Sequence, residues 1–245
     1  MKIQFGAACK DLFKTEKKWM TLLGLSVCIL IPIVGYMVII GFLLRRFTRE
    51  REGHPAEDFD FNSFADYLKM GLWPTLSSMV FSLAIIPVAL FFGVLPAILV
   101  PLLESAGEVV AATVSIFAFL IYILTIFLIT VAAYPVMFRS GLMMDFKAGF
   151  SFRFIKSFLL KVGFSLVAYF LLLILLSIPL MLLGTLAFFV GAYVVSAWLP
   201  HTMIHLAYQH YDLHLEKGGE RIPVNPELTK SLGTPPLPNA SSDAS

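Results

Sequence analysis

Long apolar runs, parted by short charged segments, set the pattern of this 245-residue chain. Four stretches, Trp19–Leu44, Leu72–Leu103, Val109–Phe138 and Val162–Ala207, contain no Asp, Glu, Lys or Arg. Each exceeds the roughly 20 residues with which a helix crosses about 30 Å of hydrocarbon. The pattern predicts an all-α, polytopic transmembrane bundle. Five to six membrane helices would be arranged in three hairpins, with short interfacial helices beside them.

The second hairpin is the plainest: Leu72–Leu103 leads out, Glu104–Glu108 turns, and Val109–Phe138 returns. The 46 residues of Val162–Ala207 are too many for one crossing. Ser177-Ile178-Pro179 is the expected corner there, because proline lacks a backbone donor and clashes with the preceding helical turn. Trp19–Leu44, at 26 residues, is long enough for one tilted span. Yet Ile31-Pro32 falls at its midpoint and both its flanks are basic. It therefore reads as a re-entrant hairpin, which requires its bent backbone to be buried against protein. A single span is the alternative. Pro74, Pro87, Pro96, Pro101, Pro135 and Pro200 read as kinks or helix ends, with a kink at Pro87 or a break near Pro96.

Three segments look interfacial. Phe61, Phe64, Ala65 and Leu68 recur at helical spacing within Asp58–Met70, which runs into Trp73. Phe5, Cys9, Leu12 and Phe13 suggest a similar N-terminal helix, and Phe152–Phe158 a third with Arg153 and Lys156.

Composition and charge sharpen this picture. The chain is 58% hydrophobic and only 14% charged, which excludes a soluble enzyme, a secreted disulfide scaffold and a disordered chain. All 18 Lys and Arg fall in residues 1–18, 45–71, 139–161 and the segment from Tyr208 onward. Basic loops stay cytoplasmic, so both termini are expected inside and Glu104–Glu108 outside, in the cytoplasmic (inner) membrane. A net charge of +2 gives no reason to expect nucleic acid as a partner. Cys9 and Cys28 suit neither a disulfide framework nor a metal motif. Gly6-Ala7-Ala8-Cys9 lies too close to the start for lipoprotein cleavage, so no cleavable signal is expected. After Leu215 the prolines and glycines multiply. The domain reading is thus residues 1–215 as an integral membrane domain and 216–245 as a flexible cytoplasmic tail.

Candidate chemistry is sparse. Walker, dinucleotide, HExxH and GxSxG motifs are all missing. The one polar cluster is His201, His205, His210 and His214, with Asp212. The pairs 201/205 and 210/214 each have i,i+4 spacing, which places two imidazoles on one helical face where they could share a metal. At 100° per residue the second pair points to the opposite side. Interfacial anchoring beside Trp198, Tyr208 and Tyr211 is therefore the preferred reading, with no metal, cofactor or catalytic residue assigned. Glu104 and Glu108 read as solvated loop charges. The small-residue pairs Ala111/Ser115 and Ala187/Gly191 read as helix-packing contacts.

The order of these features resembles a known family. Ile31-Pro32-Ile33-Val34-Gly35-Tyr36 leads through Gly41 to Arg45-Arg46. An acidic linker ends in Phe59-Asp60-Phe61, and Phe64 continues to Met70-Gly71-Leu72. Gly149-Phe150-Ser151-Phe152 and His205-Leu206-Ala207-Tyr208 bracket the last hairpin. In these respects the chain, over Leu12–Tyr211, resembles the prokaryotic membrane family labelled domain of unknown function 4013. The resemblance implies a multi-helix inner-membrane protein and supplies no substrate, cofactor or site. The expected function is that of a non-enzymatic scaffold or accessory subunit, with the bilayer and other membrane subunits as partners. Rival readings are a transporter or channel for a neutral or lipid-like solute, and a membrane-embedded enzyme using the histidines.

Overall fold

The computed structural model describes residues 3–14, 17–83, 85–88, 90–91, 107–186 and 190–230. Glu104, Pro96, Pro101, Ala187 and residues 231–245, each the subject of an expectation above, lie outside them. The described chain is all-α: α1 Phe5–Asp11, α2 Lys18–Ile29, α3 Val34–Arg51, α4 Phe64–Ser82, α5 Glu108–Met143, α6 Phe146–Gly149, α7 Phe152–Leu186 and α8 Val190–Glu216. Three helical runs are long and apolar enough to cross a membrane, namely Phe61–Val88, Glu108–Met143 and Phe152–Leu186.

The first apolar stretch is broken at Pro32. The chain turns through Leu30–Ile33, where Ile33 takes φ 64°, an uncommon value for a β-branched residue. A Cβ on Gly35 would lie 1.6 Å from the Cys28 carbonyl oxygen, so only glycine closes the turn. Arg46 near the end of α3 meets Asp11, which precedes α2, at 3.0 Å, so α2 and α3 double back on each other. The 12 residues of α2 reach only about 18 Å.

α3 lies mainly against α4, α4 against α5, and α7 against α8. The α3–α4 approach is backbone to backbone. A Cβ at Gly41 would sit 1.9 Å from the Tyr67 carbonyl oxygen, and one at Gly71 would sit 1.7 Å from that of Met37. The buried face of α4 accordingly starts at Tyr67, Met70 and Gly71. The segment expected to be interfacial has different bounds: a 3₁₀ turn at Phe61–Ser63, with Phe61 exposed, leads into one continuous helix Phe64–Ser82. The N-terminal helix is likewise docked on protein. Trp198 Nε1 donates to the Cys9 carbonyl at 2.9 Å, and Gln4 N to Gln209 Oε1 at 2.6 Å.

The expected corner at Ser177-Ile178-Pro179 is not one. α7 runs through Pro179 to Leu186, and Pro74, Pro135 and Pro200 also lie inside helices. Among apolar neighbours a helix keeps its remaining backbone bonds internal, which favours tolerating the proline over opening a turn. α7 and α8 instead meet closely where a Cβ on Gly184 would come within 2.7 Å of Gly191.

Burial divides the long helices in two. Between Val109 and Thr130 of α5 only Ala111 is buried, whereas most of Val131–Leu142 is. In α7 the buried positions are Phe154, Phe158, Val162, Leu166, Leu173 and Gly184. One core gathers Leu12, Phe42, Phe47, Tyr67, Phe138, Phe158 and Tyr208. Residues 217–230, expected to begin a flexible tail, fold back onto it. Ile222 and Leu228 are fully buried, Ile222 N donates to the Tyr211 hydroxyl at 2.6 Å, and Asn225 N donates to the Leu142 carbonyl at 2.8 Å. Composition sees the prolines and glycines of this stretch but not its two apolar anchors.

Candidate functional site

Near the C-terminal end of α3 two arginines are wholly buried, Arg46 facing Asp11 of α1 and Arg45 facing Glu57. Their place follows from α3 itself. The helix is apolar from Val34 to Leu44 and carries its charge only in the last two turns, so core packing draws Arg45 and Arg46 inward with it. A buried guanidinium persists only when paired, and each one is. Arg45 Nε donates to both oxygens of Glu57, at 3.0 and 2.9 Å. Arg46 Nε donates to Glu50 Oε1 at 3.0 Å, one helical turn on. Its Nη2 donates to Asp11 Oδ2 at 3.0 Å, across 35 positions of sequence.

Asp11 is the hub. His201 Nε2 and His205 Nδ1 approach its Oδ2 at 3.6 and 3.7 Å, and Lys14 Nζ reaches Oδ1 at 3.2 Å. Burial alone would raise the Asp11 pKa. The approach of His205 and the charge of Arg46 outweigh that effect and hold the carboxyl well below the usual carboxylate range. Phe47 closes the cluster, its ring 5.2 Å from that of His201 and 5.1 Å from that of His205. Neither ring nitrogen of the buried His201 has a hydrogen-bond partner among the described residues. A cavity of about 370 Å³, bordered by Gln4, Lys14, Glu50, Arg51 and Asp212, opens beside His205.

The other two histidines face α7. His210 Nδ1 lies 2.8 Å from the Leu206 carbonyl, and its Nε2 lies 3.3 Å from Ser165 Oγ. His214 sits between the rings of Phe154 and Phe158, at 5.5 and 5.2 Å. Asp212 pairs with Arg51 instead of any histidine. The four imidazoles therefore diverge two by two. Among the described residues no group of three or more His, Cys, Asp or Glu is placed to hold a metal ion. At the 201/205 pair the carboxylate oxygen that would be a third ligand already takes the Arg46 guanidinium.

The arrangement is suited to fastening helices through buried charge. The sequence pointed to the histidines but placed Arg45 and Arg46 only within the basic cytoplasmic segment 45–71. The available signal was Arg45-Arg46 directly abutting an apolar run, with Glu50 and Glu57 just beyond.

A family model described as "Protein of unknown function (DUF4013)" matches residues 24–198, and the chain belongs to that family. No curated protein matches the chain. No solved structure matches it either.

Proposed function

We propose that this DUF4013 member is a non-enzymatic scaffold or accessory subunit of the cytoplasmic membrane, whose lipid-exposed helices receive other membrane subunits. One observation carries the reading. α5 and α7 are the most apolar helices of the chain, yet only 11% of the apolar part of each is buried. Membrane helices associate through side-chain packing and small residues, and here almost all of that surface is left unused. Residues Phe117, Phe119, Leu172 and Leu175, among others, face outward. A transporter would instead turn such helices around a shared path.

Orientation follows from charge. The segments rich in Lys and Arg lie with the buried arginine cluster, which we place on the cytoplasmic side with both termini. The α2–α3 hairpin, broken at Pro32 and returning to Asp11, is then re-entrant: it enters from the cytoplasmic side and leaves by it. The Asp11–Arg46 pair clamps its two ends together.

Photo-crosslinking in living cells tests the scaffold role. A benzophenone side chain at Phe117, and separately at Leu172, is expected to yield an adduct with the same partner protein. Adducts with lipid alone at both positions would defeat the proposal.

A further inference from the structure

A second cavity, of about 300 Å³, lies between the C-terminal ends of α3 and α8 and the returning segment after α8. Two guanidiniums border it, those of Arg51 and Arg221. Arg51 is held in place. Its carbon centre stands 5.4 Å from the ring centres of both Tyr208 and Tyr211, and its Nη2 donates to Asp212. Among the described residues its Nε and Nη1 donate to nothing. Arg221 forms no ion pair among the described residues and is exposed.

The two cations feel each other. Burial lowers the Arg51 pKa and the charge of Arg221 lowers it further, against the opposing pull of Tyr208 and Tyr211. A guanidinium fork held in place matches the oxygens of a phosphate. Glu52 also borders the cavity and Asp212 pairs with Arg51 from outside its lining, so what the cavity offers a phosphate is the remaining N–H groups of Arg51 and the exposed guanidinium of Arg221. Leu142, Leu215 and Val224 supply an apolar wall against which an organic group can rest. Leu142 lies 12 residues beyond Thr130, about 18 Å along α5, so the cavity stands off the exposed apolar face of that helix.

We propose that Arg51 and Arg221 form a binding site for the phosphate group of a small phosphorylated organic molecule. This site stands apart from the scaffold reading and does not depend on it. The phosphate chemistry is common to soluble compounds and lipid headgroups, so the test has two arms. In the first, the full chain in detergent is titrated with inorganic phosphate and its thermal unfolding followed. In the second, unfolding is compared in nanodiscs of phosphatidylglycerol and of phosphatidylcholine. Arg221→Gln is the variant, since an exposed and unpaired side chain can be changed without disturbing the unliganded fold.

Phosphate is expected to stabilise the wild type, with affinity falling about tenfold in Arg221→Gln and recovering in part in Arg221→Lys. Stabilisation confined to phosphatidylglycerol, and lost with Arg221→Gln, would keep the phosphate site and assign it to a lipid headgroup. Equal behaviour of wild type and Arg221→Gln in both arms, or no response to either probe, would overturn the proposal.

Discussion

Asp11 bears on one carboxylate what the buried cluster needs. Asp11→Asn leaves the Arg46 charge buried with Glu50 as its remaining partner. Stability in detergent should fall by about 3 kcal/mol, at the low end for breaking a buried ion pair because Glu50 stays in place. The pH dependence has a definite sign. The folded pKa of Asp11 is depressed below an unfolded value of about 3.9. Its contribution is therefore present above that unfolded value and is lost as pH falls through the folded pKa. The stability gap between wild type and Asp11→Asn should be constant near neutrality and close in acid; a gap that widens in acid would refute the assignment. His214 carries a dependence of the same sign at higher pH. Burial and Lys161 lower its pKa, so it costs stability as pH drops through about 6.5. His214→Phe should flatten denaturation midpoints measured across that interval. The divergence of the histidine pairs was legible from 100° per residue. The burial of Arg46 was not, because its partner Asp11 lies 35 positions away.

At the scale of elements, the α3–α4 crossing rests on two glycines. Gly71→Ala would place a methyl group 1.7 Å from the Met37 carbonyl oxygen, a rigid backbone atom. Destabilisation by more than about 3 kcal/mol is expected, seen as lost monodisperse protein in size-exclusion chromatography. A Cβ at Gly6 meets nothing within 4 Å, so Gly6→Ala in α1 should be neutral or slightly stabilising. Helix existence was readable from the charge-free runs, but their interruptions were less so. Pro32 and Pro179 look alike in sequence. At Pro32 the chain turns because Gly35 fits against Cys28 and Thr21 Oγ1 ties α2 to Asp58 at 3.0 Å. At Pro179 no such contact among the described residues competes with helix continuation. The amphipathic face drawn through Phe61 and Phe64 was displaced for a similar reason, since close approach at Gly71 selects Tyr67 and Met70 for burial.

For the whole molecule, residues 217–230 after α8 are part of the fold. Ending the chain at Glu216 removes Ile222 and Leu228 from the core and uncovers the Tyr211 hydroxyl. Two buried aliphatic side chains contribute about 3 kcal/mol or more, so this truncation should lower the denaturation midpoint clearly. Ending it at Lys230 keeps those contacts and should leave the midpoint unchanged. The membrane class of the chain was legible at this scale because hydrocarbon demands long uncharged runs. The docking of residues 217–230 was not, since it depends on two side chains and on hydrogen bonds from Ile222 N and Asn225 N to partners on other elements. The outward faces of α5 and α7 are expected to lie in lipid and the ends of α3 and α8 in water. Single nitroxide labels at Phe117, Leu172 and Glu52, in a cysteine-free background reconstituted in liposomes, test this by power saturation. Labels at Phe117 and Leu172 should collide with oxygen and be shielded from a nickel chelate, with the reverse at Glu52. Free access of the nickel chelate to Phe117 and Leu172 would contradict the account.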